Sequence, residues 1–304
     1  MNLRAAPIAA VLALVLTVAA QSQDLGTIDF PTSGSAAAQP HFIRGVLLMH
    51  SFEYDDAKEA FVEAQKADPG FAMAYWGEAM TYNHQVWQQT APELAKAALA
   101  KLAATAEARQ AKAQTPKEKE WLAAVELLYG PGTASTALSA GKLALDTAYA
   151  DAMRRMYEKY PADDEVASFY ALAILGTSHN GRDFGTYMRA AAIVERVYAK
   201  NPNHPGAAHY LIHSYDDPIH APLGLRFADA YSKIAPAASH ALHMPSHIYF
   251  ALGMWDEAAA INERSVKAAD DRRAAKSLDV DARGFNALHW LKFEIGRASC
   301  RERV

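Results

Sequence analysis

"HFIRGVLLMHSFEYDDAKEAFVEAQKADPGFAMAYWGEAM", residues 41–80, decides how this chain folds. Helix formers fill it, and its small and apolar residues fall at helical spacing on both sides of a turn near Glu53. Gly45 and Leu48 precede the turn; Ala57, Phe61 and Ala64 share one face after it. Asp68-Pro69 stops the second helix, because a proline ring lacks the N–H that a helix interior needs. Small residues at Gly45, Ala57 and Ala64 let the two helices approach closely, while Tyr54 and Phe61 fill the remaining gaps. The stretch is a helix, a turn and a second helix packed as a pair.

The stop signal returns. "EKYPADDE", "AKNPNHPG" and "KIAPAASH" place it at Pro161, Pro202 and Pro236, so the intervals from Pro69 are 92, 41 and 34 residues. The last is one repeat, the second is a repeat with a longer turn, and the first leaves room for an extra helical hairpin. That hairpin is an Ala-rich helix near 91–113 followed by "TPKEKEWLAAVELLYG", where Thr115, Pro116 and Glu118 form a capping box with proline in the first turn. "GMWDEAAAINERSVKAAD" supplies another second-helix pattern, and no β-branched run with period two occurs. Gly45, Tyr54, Ala57, Phe61, Ala64 and Pro69 together fall on a 34-residue frame that resembles the tetratricopeptide repeat. That resemblance implies an all-α, tetratricopeptide-like α-solenoid, a superhelical array of antiparallel helix pairs, over residues 41–293.

The histidines follow the same count. His209 and His213 lie 7 and 11 residues after Pro202, and His243 and His247 lie 7 and 11 after Pro236. His84 lies 15 after Pro69, with His50 a further 34 earlier, and His179 lies 18 after Pro161. Steps of four, four and three trace one helical stripe. The resemblance implies that this stripe lines the concave groove where such arrays bind ligands. Imidazoles at i and i+4 point the same way, and four buried neutral rings without a partner would strand hydrogen-bonding groups. His209, His213, His243, His247, His84 and His179 are therefore the candidate metal ligands. Pro245 starts a helix near Met244, so His240 and His243 come to the site from a capping loop. His41, His50 and His204 read as packing or surface residues, and His289 as part of a further first helix.

Neither pair is His-Glu-x-x-His, so the zinc-peptidase arrangement with its glutamate base is absent. Imidazole ligation without thiolate suits zinc or copper, with iron or nickel as further options. Asp216 and Asp217 are either acceptors for ring N–H groups, ligands, or a helix stop. Trp76, Tyr82, Trp87, Tyr210 and Tyr249 suit a groove wall or a core, and Glu53, Asp55 and Asp56 beside Lys58 read as a solvated turn. No glycine-rich phosphate loop and no ordered Ser-His-Asp set is present. Two function classes remain: a metal-binding protein, either a carrier or a metalloenzyme, and a scaffold that holds a peptide or protein in the groove.

The ends complete the reading. Residues 1–20, with Arg4, a short apolar run and small residues near Ala20, read as a signal peptide of the secreted bacterial type, which implies a periplasmic or secreted protein. Residues 21–40 are rich in Ser, Ala, Gly, Gln and Pro and read as a flexible leader. "IGRASCRERV" resembles a translated sequencing-adapter oligonucleotide, with Glu294 at the join, so 294–304 is set apart from the fold. Cys300, the single cysteine, lies in it, which leaves no disulfide and no thiolate site elsewhere. With 51% hydrophobic residues and a net charge of −4, nothing points to nucleic acid, and no later apolar run is long enough to span a membrane.

Overall fold

A computed structural model describes residues 25–130 and 138–301, with side chains from 25–130, 141–296 only. The expected signal peptide lies outside the described residues. Helices α1 (Gln39–His50) and α2 (Tyr54–Ala67) form the first pair, joined by three residues, and α3 (Ala72–Met80) packs beside them. The small residues act as the sequence predicts. A Cβ on Gly45 or Gly77 would meet the Phe61 ring at 2.7 or 2.3 Å, so both glycines are needed for the ring to seat between the helices. A short hairpin, β1 (Asn83–His84) with β2 (Gln89–Thr90), then leads to α4 (Pro92–Leu102) and α5 (Ala106–Lys112). These two replace the single Ala-rich helix expected near 91–113. The capping box forms as predicted at the head of α6 (Pro116–Leu128).

The remaining helices are α7 (Leu138–Lys159), α8 (Asp164–Gly176), α9 (Phe184–Lys200), α10 (Pro205–Tyr215), α11 (Ala221–Ile234), α12 (Ser239–His243), α13 (Pro245–Ala251), α14 (Trp255–Lys276) and α15 (Phe285–Arg301). Successive helices pack on one another along the chain. Each of the four predicted stops holds: α2, α7, α9 and α11 end two residues before Pro69, Pro161, Pro202 and Pro236. The protein is an all-α array of helix pairs. Among the described residues no helix is long and apolar enough to cross a membrane.

The array also closes on its own beginning. Helix α10 packs against α1. Glu53 accepts hydrogen bonds from Ser239 Oγ and the His240 backbone N–H, both at 2.9 Å. Arg272 Nε donates to Asp56 at 2.9 Å, and Lys276 Nζ donates to Asp56 and Glu59 at 2.7 and 2.6 Å. The acidic turn is thus the clasp between the first pair and α14; of the residues read as solvated, only Asp55 with Lys58 is so. The stretch read as a leader also contributes to the core. Leu25 and Phe30 are buried, the Phe30 ring lying against Phe42, Trp76 and Trp121 at 5.2–5.9 Å. Its polar composition hid these two anchors; burying Phe30 alone stabilises the fold by about 1.5–3 kcal/mol.

Candidate metal centre

Closure brings five imidazoles into a ring. Centroid separations run His209–His213 4.8 Å, His213–His247 6.4 Å, His247–His243 4.9 Å, His243–His240 5.9 Å and His240–His209 5.0 Å. The two His-x-x-x-His pairs, one on α10 and one bridging α12 and α13, therefore face the same space. His209, His213 and His240 each offer a ligand nitrogen, and these nitrogens lie within 4.8 Å of one another. The Nε2 atoms of all three are buried with no hydrogen-bond partner. His209 shows why its Nε2 is a lone pair: Nδ1–H donates to the His50 carbonyl at 2.6 Å, which fixes the tautomer. Burial, with neighbouring rings adding to it, drives His209 and His240 well below the usual imidazole range and His213 to about 3. All three are neutral at neutral pH, the form that binds metal.

The floor of this group is Phe52, whose ring lies 4.3, 5.7 and 5.5 Å from those of His209, His213 and His240. Its backbone explains its place. Phe52 N–H bonds to the Met49 carbonyl and Glu53 N–H to the Leu48 carbonyl, both at 3.0 Å, which is the Schellman ending of α1. Phe52 occupies the left-handed position of that motif, with φ 55°, where glycine is usual. An aromatic there is strained, and the strain is offset by burying its ring against the imidazoles. The same helix end leaves the His50 carbonyl for His209 to cap. No sequence signal marks Phe52, because glycine is what the turn chemistry leads one to expect.

The second pair is arranged differently. His247 Nδ1 donates to Asp216 Oδ2 at 2.8 Å. Burial works against the charge on Asp216, but the hydrogen bond from His247 and nearby positive charge outweigh it and keep the carboxyl low. His243 Nδ1 donates to Asn262 Oδ1 at 2.7 Å, and the Asn262 amide nitrogen is held by Glu294. Glu294, read from the sequence as a join, is fully buried. The two Nε2 atoms then meet at 3.1 Å. Of the two adjacent aspartates, Asp216 orients a ring and Asp217 caps the next segment, accepting from the Ile219 and His220 backbone N–H groups.

His84 and His179 do not join the ring. Helix α3 ends at Met80, so His84 falls in the β-hairpin, stacked on Tyr54 at 4.0 Å with Nε2 donating to the Thr81 carbonyl. Helix α8 ends at Gly176, so His179 falls in the following loop and binds Asp146 at 2.7 Å. The stripe assumed longer first helices than these pairs possess. His240, expected from a capping loop, sits on the five-residue α12 and takes the place beside His209 and His213. Of the aromatics, Trp76 and Tyr210 are core, whereas Trp87 is 41% exposed with its ring 5.6 Å from His240. Phe52 also lines a cleft of about 580 Å³, with Glu53, Tyr54, Lys58, His84 and Arg272 among its other walls.

A second group looks similar by composition. His50, Glu165 and His204 are all buried with ligand atoms within 4.8 Å. Here every atom is used. His204 Nδ1 accepts from the Ala207 N–H, so its Nε2–H donates to Glu165 at 3.0 Å. His50 Nε2–H donates to the other Glu165 oxygen at 2.8 Å, and its Nδ1 lies 2.8 Å from the Tyr210 hydroxyl. Burial opposes the charge on Glu165, yet His50 and His204 outweigh it and hold the carboxyl at about 2. This is the packing role expected for His50 and His204.

The chain matches no known family profile and no curated protein. Among solved structures it is similar to the tetratricopeptide-repeat domain of P58(IPK), at 12% identity over 88% of this chain and 100% of that one, with a TM-score of 0.31. A likeness at that level bears on neither the histidines nor their use. Fold and site together define an all-α helical-repeat protein with an imidazole-lined centre at the seam where its two ends meet.

Proposed function

We propose that this chain binds a transition-metal ion through His209, His213 and His240, at a seam whose Phe52 floor also lines the Tyr54–His84 cleft. One observation carries the reading: three imidazoles converge with three buried Nε2 atoms that have no hydrogen-bond partner, and the Nδ1 bond of His209 to the His50 carbonyl makes its Nε2 a lone pair. Leaving each buried ring nitrogen unpaired costs about 1–3 kcal/mol, and one cation would satisfy all three. Zinc or copper suits the donors best, with iron or nickel as further options. Three protein ligands leave a coordination position for water or a substrate, so either a carrier or a metalloenzyme fits. Residues 1–20, which read as a signal peptide, support a periplasmic or secreted setting for this activity.

The alternative is a scaffold that holds a peptide or protein in the cleft without metal; the exposed Trp87 and the mixed charges of Lys58, Asp55 and Arg272 favour it. Metal content separates the two. After loading with zinc or copper and desalting, the chain should retain at least about one equivalent, and changing His209 and His213 together to Ala should remove it with helicity intact. His213→Ala with His240→Ala gives the same answer without freeing the His50 carbonyl. Well under one equivalent in the unmutated chain overturns the metal reading and leaves the scaffold.

A further inference from the structure

We propose that His243 and His247 hold a second transition-metal ion, with the Asn286 carboxamide as a third donor, so that the histidine ring is a two-ion centre. This rests on the reading of the ring as a metal site, but its geometry is independent of the first three ligands. The two Nε2 atoms face each other at 3.1 Å. Nitrogens each at 2.0–2.1 Å from one ion, at angles between square and tetrahedral, are about 2.9–3.4 Å apart. Both outer nitrogens are already spent, His247 Nδ1 on Asp216 and His243 Nδ1 on Asn262, which turns the two Nε2 atoms toward each other and toward one shared space. An imidazole whose outer N–H is anchored on a carboxylate or carbonyl while its inner nitrogen points at a shared space is the usual arrangement of a metal ligand.

Asn286 supplies the third donor. Its side-chain amide nitrogen lies 3.0 Å from His243 Nε2, and turning the amide over puts its oxygen at that ligand separation. Trp290 packs over His247 at 4.5 Å on that side. The Asp216 carboxylate contributes a negative charge one bond behind the ligands, which favours a divalent cation over a neutral guest. The two ions would be neighbours, since His213 and His240 lie beside His247 and His243 respectively.

The test is a titration of the metal-free full-length chain with Co(II) and Zn(II), read by cobalt absorption and by metal content after desalting. The expected stoichiometry is about two, falling to about one in His247→Ala with Asn286→Ala and to about one in His213→Ala with His240→Ala. Asp216→Asn should weaken only the second binding step, by about 10–100-fold. Circular dichroism checks folding, and His247→Gln replaces the alanine variant should that one unfold. One equivalent in the unmutated chain, lost with His213 and His240 but kept without His247, overturns the second ion and leaves the first reading standing. One equivalent that depends on His247 and not on His213 or His240 overturns the first reading and keeps this one. A doubly protonated His247 ring seen by nitrogen NMR at neutral pH with metal present overturns the second ion, since a proton then fills the 3.1 Å contact.

Discussion

The ring around His209 and the cluster around Glu165 are built from the same materials at nearly the same depth, yet they do opposite things. In the cluster, one carboxylate accepts from two imidazoles, and the outer nitrogens are taken by Tyr210 and a backbone N–H. In the ring, three Nε2 atoms are left over. Proximity of ligand residues is common to both, so what sets the ring apart as the candidate metal site is its unspent ring nitrogens. The two regions are also joined. Glu165 fixes His50, and the His50 carbonyl fixes the tautomer of His209, so the saturated cluster serves as a rigid mount for the unsaturated ring.

The sharpest way to break this contrast is to remove Glu165. Glu165→Ala strands two buried imidazoles and should cost about 3–5 kcal/mol, seen as a large fall in denaturant midpoint. The folded fraction should still bind metal through His213 and His240. If stability falls by under about 1 kcal/mol while bound metal disappears, the cluster is a ligand set and the contrast is void.

Acid comes next. The unfolded chain protonates its imidazoles near 6.5, whereas burial holds folded His213 and His243 to about 3 and His209 and His240 lower than usual. Between those values the unfolded chain binds more protons, so stability of the metal-free protein is full above pH 6.5 and is lost as pH falls toward 3. Changing His213 and His243 to Gln should shift the acid-unfolding midpoint to lower pH, as followed by circular dichroism. An unchanged midpoint would show that these rings are already protonated in the fold.

The floor of the ring gives a smaller, kinetic effect. Phe52→Gly relaxes the left-handed backbone but removes the aromatic shield, so metal should still bind while a chelator strips it faster. Equal stripping rates would mean that the ring does not exclude water. The clasp should give the smallest change. Asp56→Asn removes partly exposed pairs with Arg272 and Lys276 and should cost about 1 kcal/mol or less.

Much of this was readable in advance. Pro69, Pro161, Pro202 and Pro236 end helices whatever the surroundings, because a missing N–H and a ring clash are local facts. Gly45 with Phe61, and Thr115 with Glu118, act within one or two helical turns or across a single hairpin, so spacing was enough to read them. The His-x-x-x-His echo likewise follows from helical period and located four of the five ring members. What spacing could not supply was helix length: α3 and α8 stop short of His84 and His179, and nothing local announces it. Nor could it supply contacts between distant segments. That His240 rather than His243 completes the triad with His209 and His213, that Phe52 accepts strain to floor it, and that Glu53 and Asp56 hold the seam shut all depend on α1 meeting α10, α12 and α14. Those residues are some 160–220 positions apart in sequence. The sequence determined the helices, their pairing and the supply of imidazoles through short-range sterics and hydrogen bonding; the tertiary structure decided which lone pairs stay unspent, because that depends on every partner the closed superhelix brings within reach.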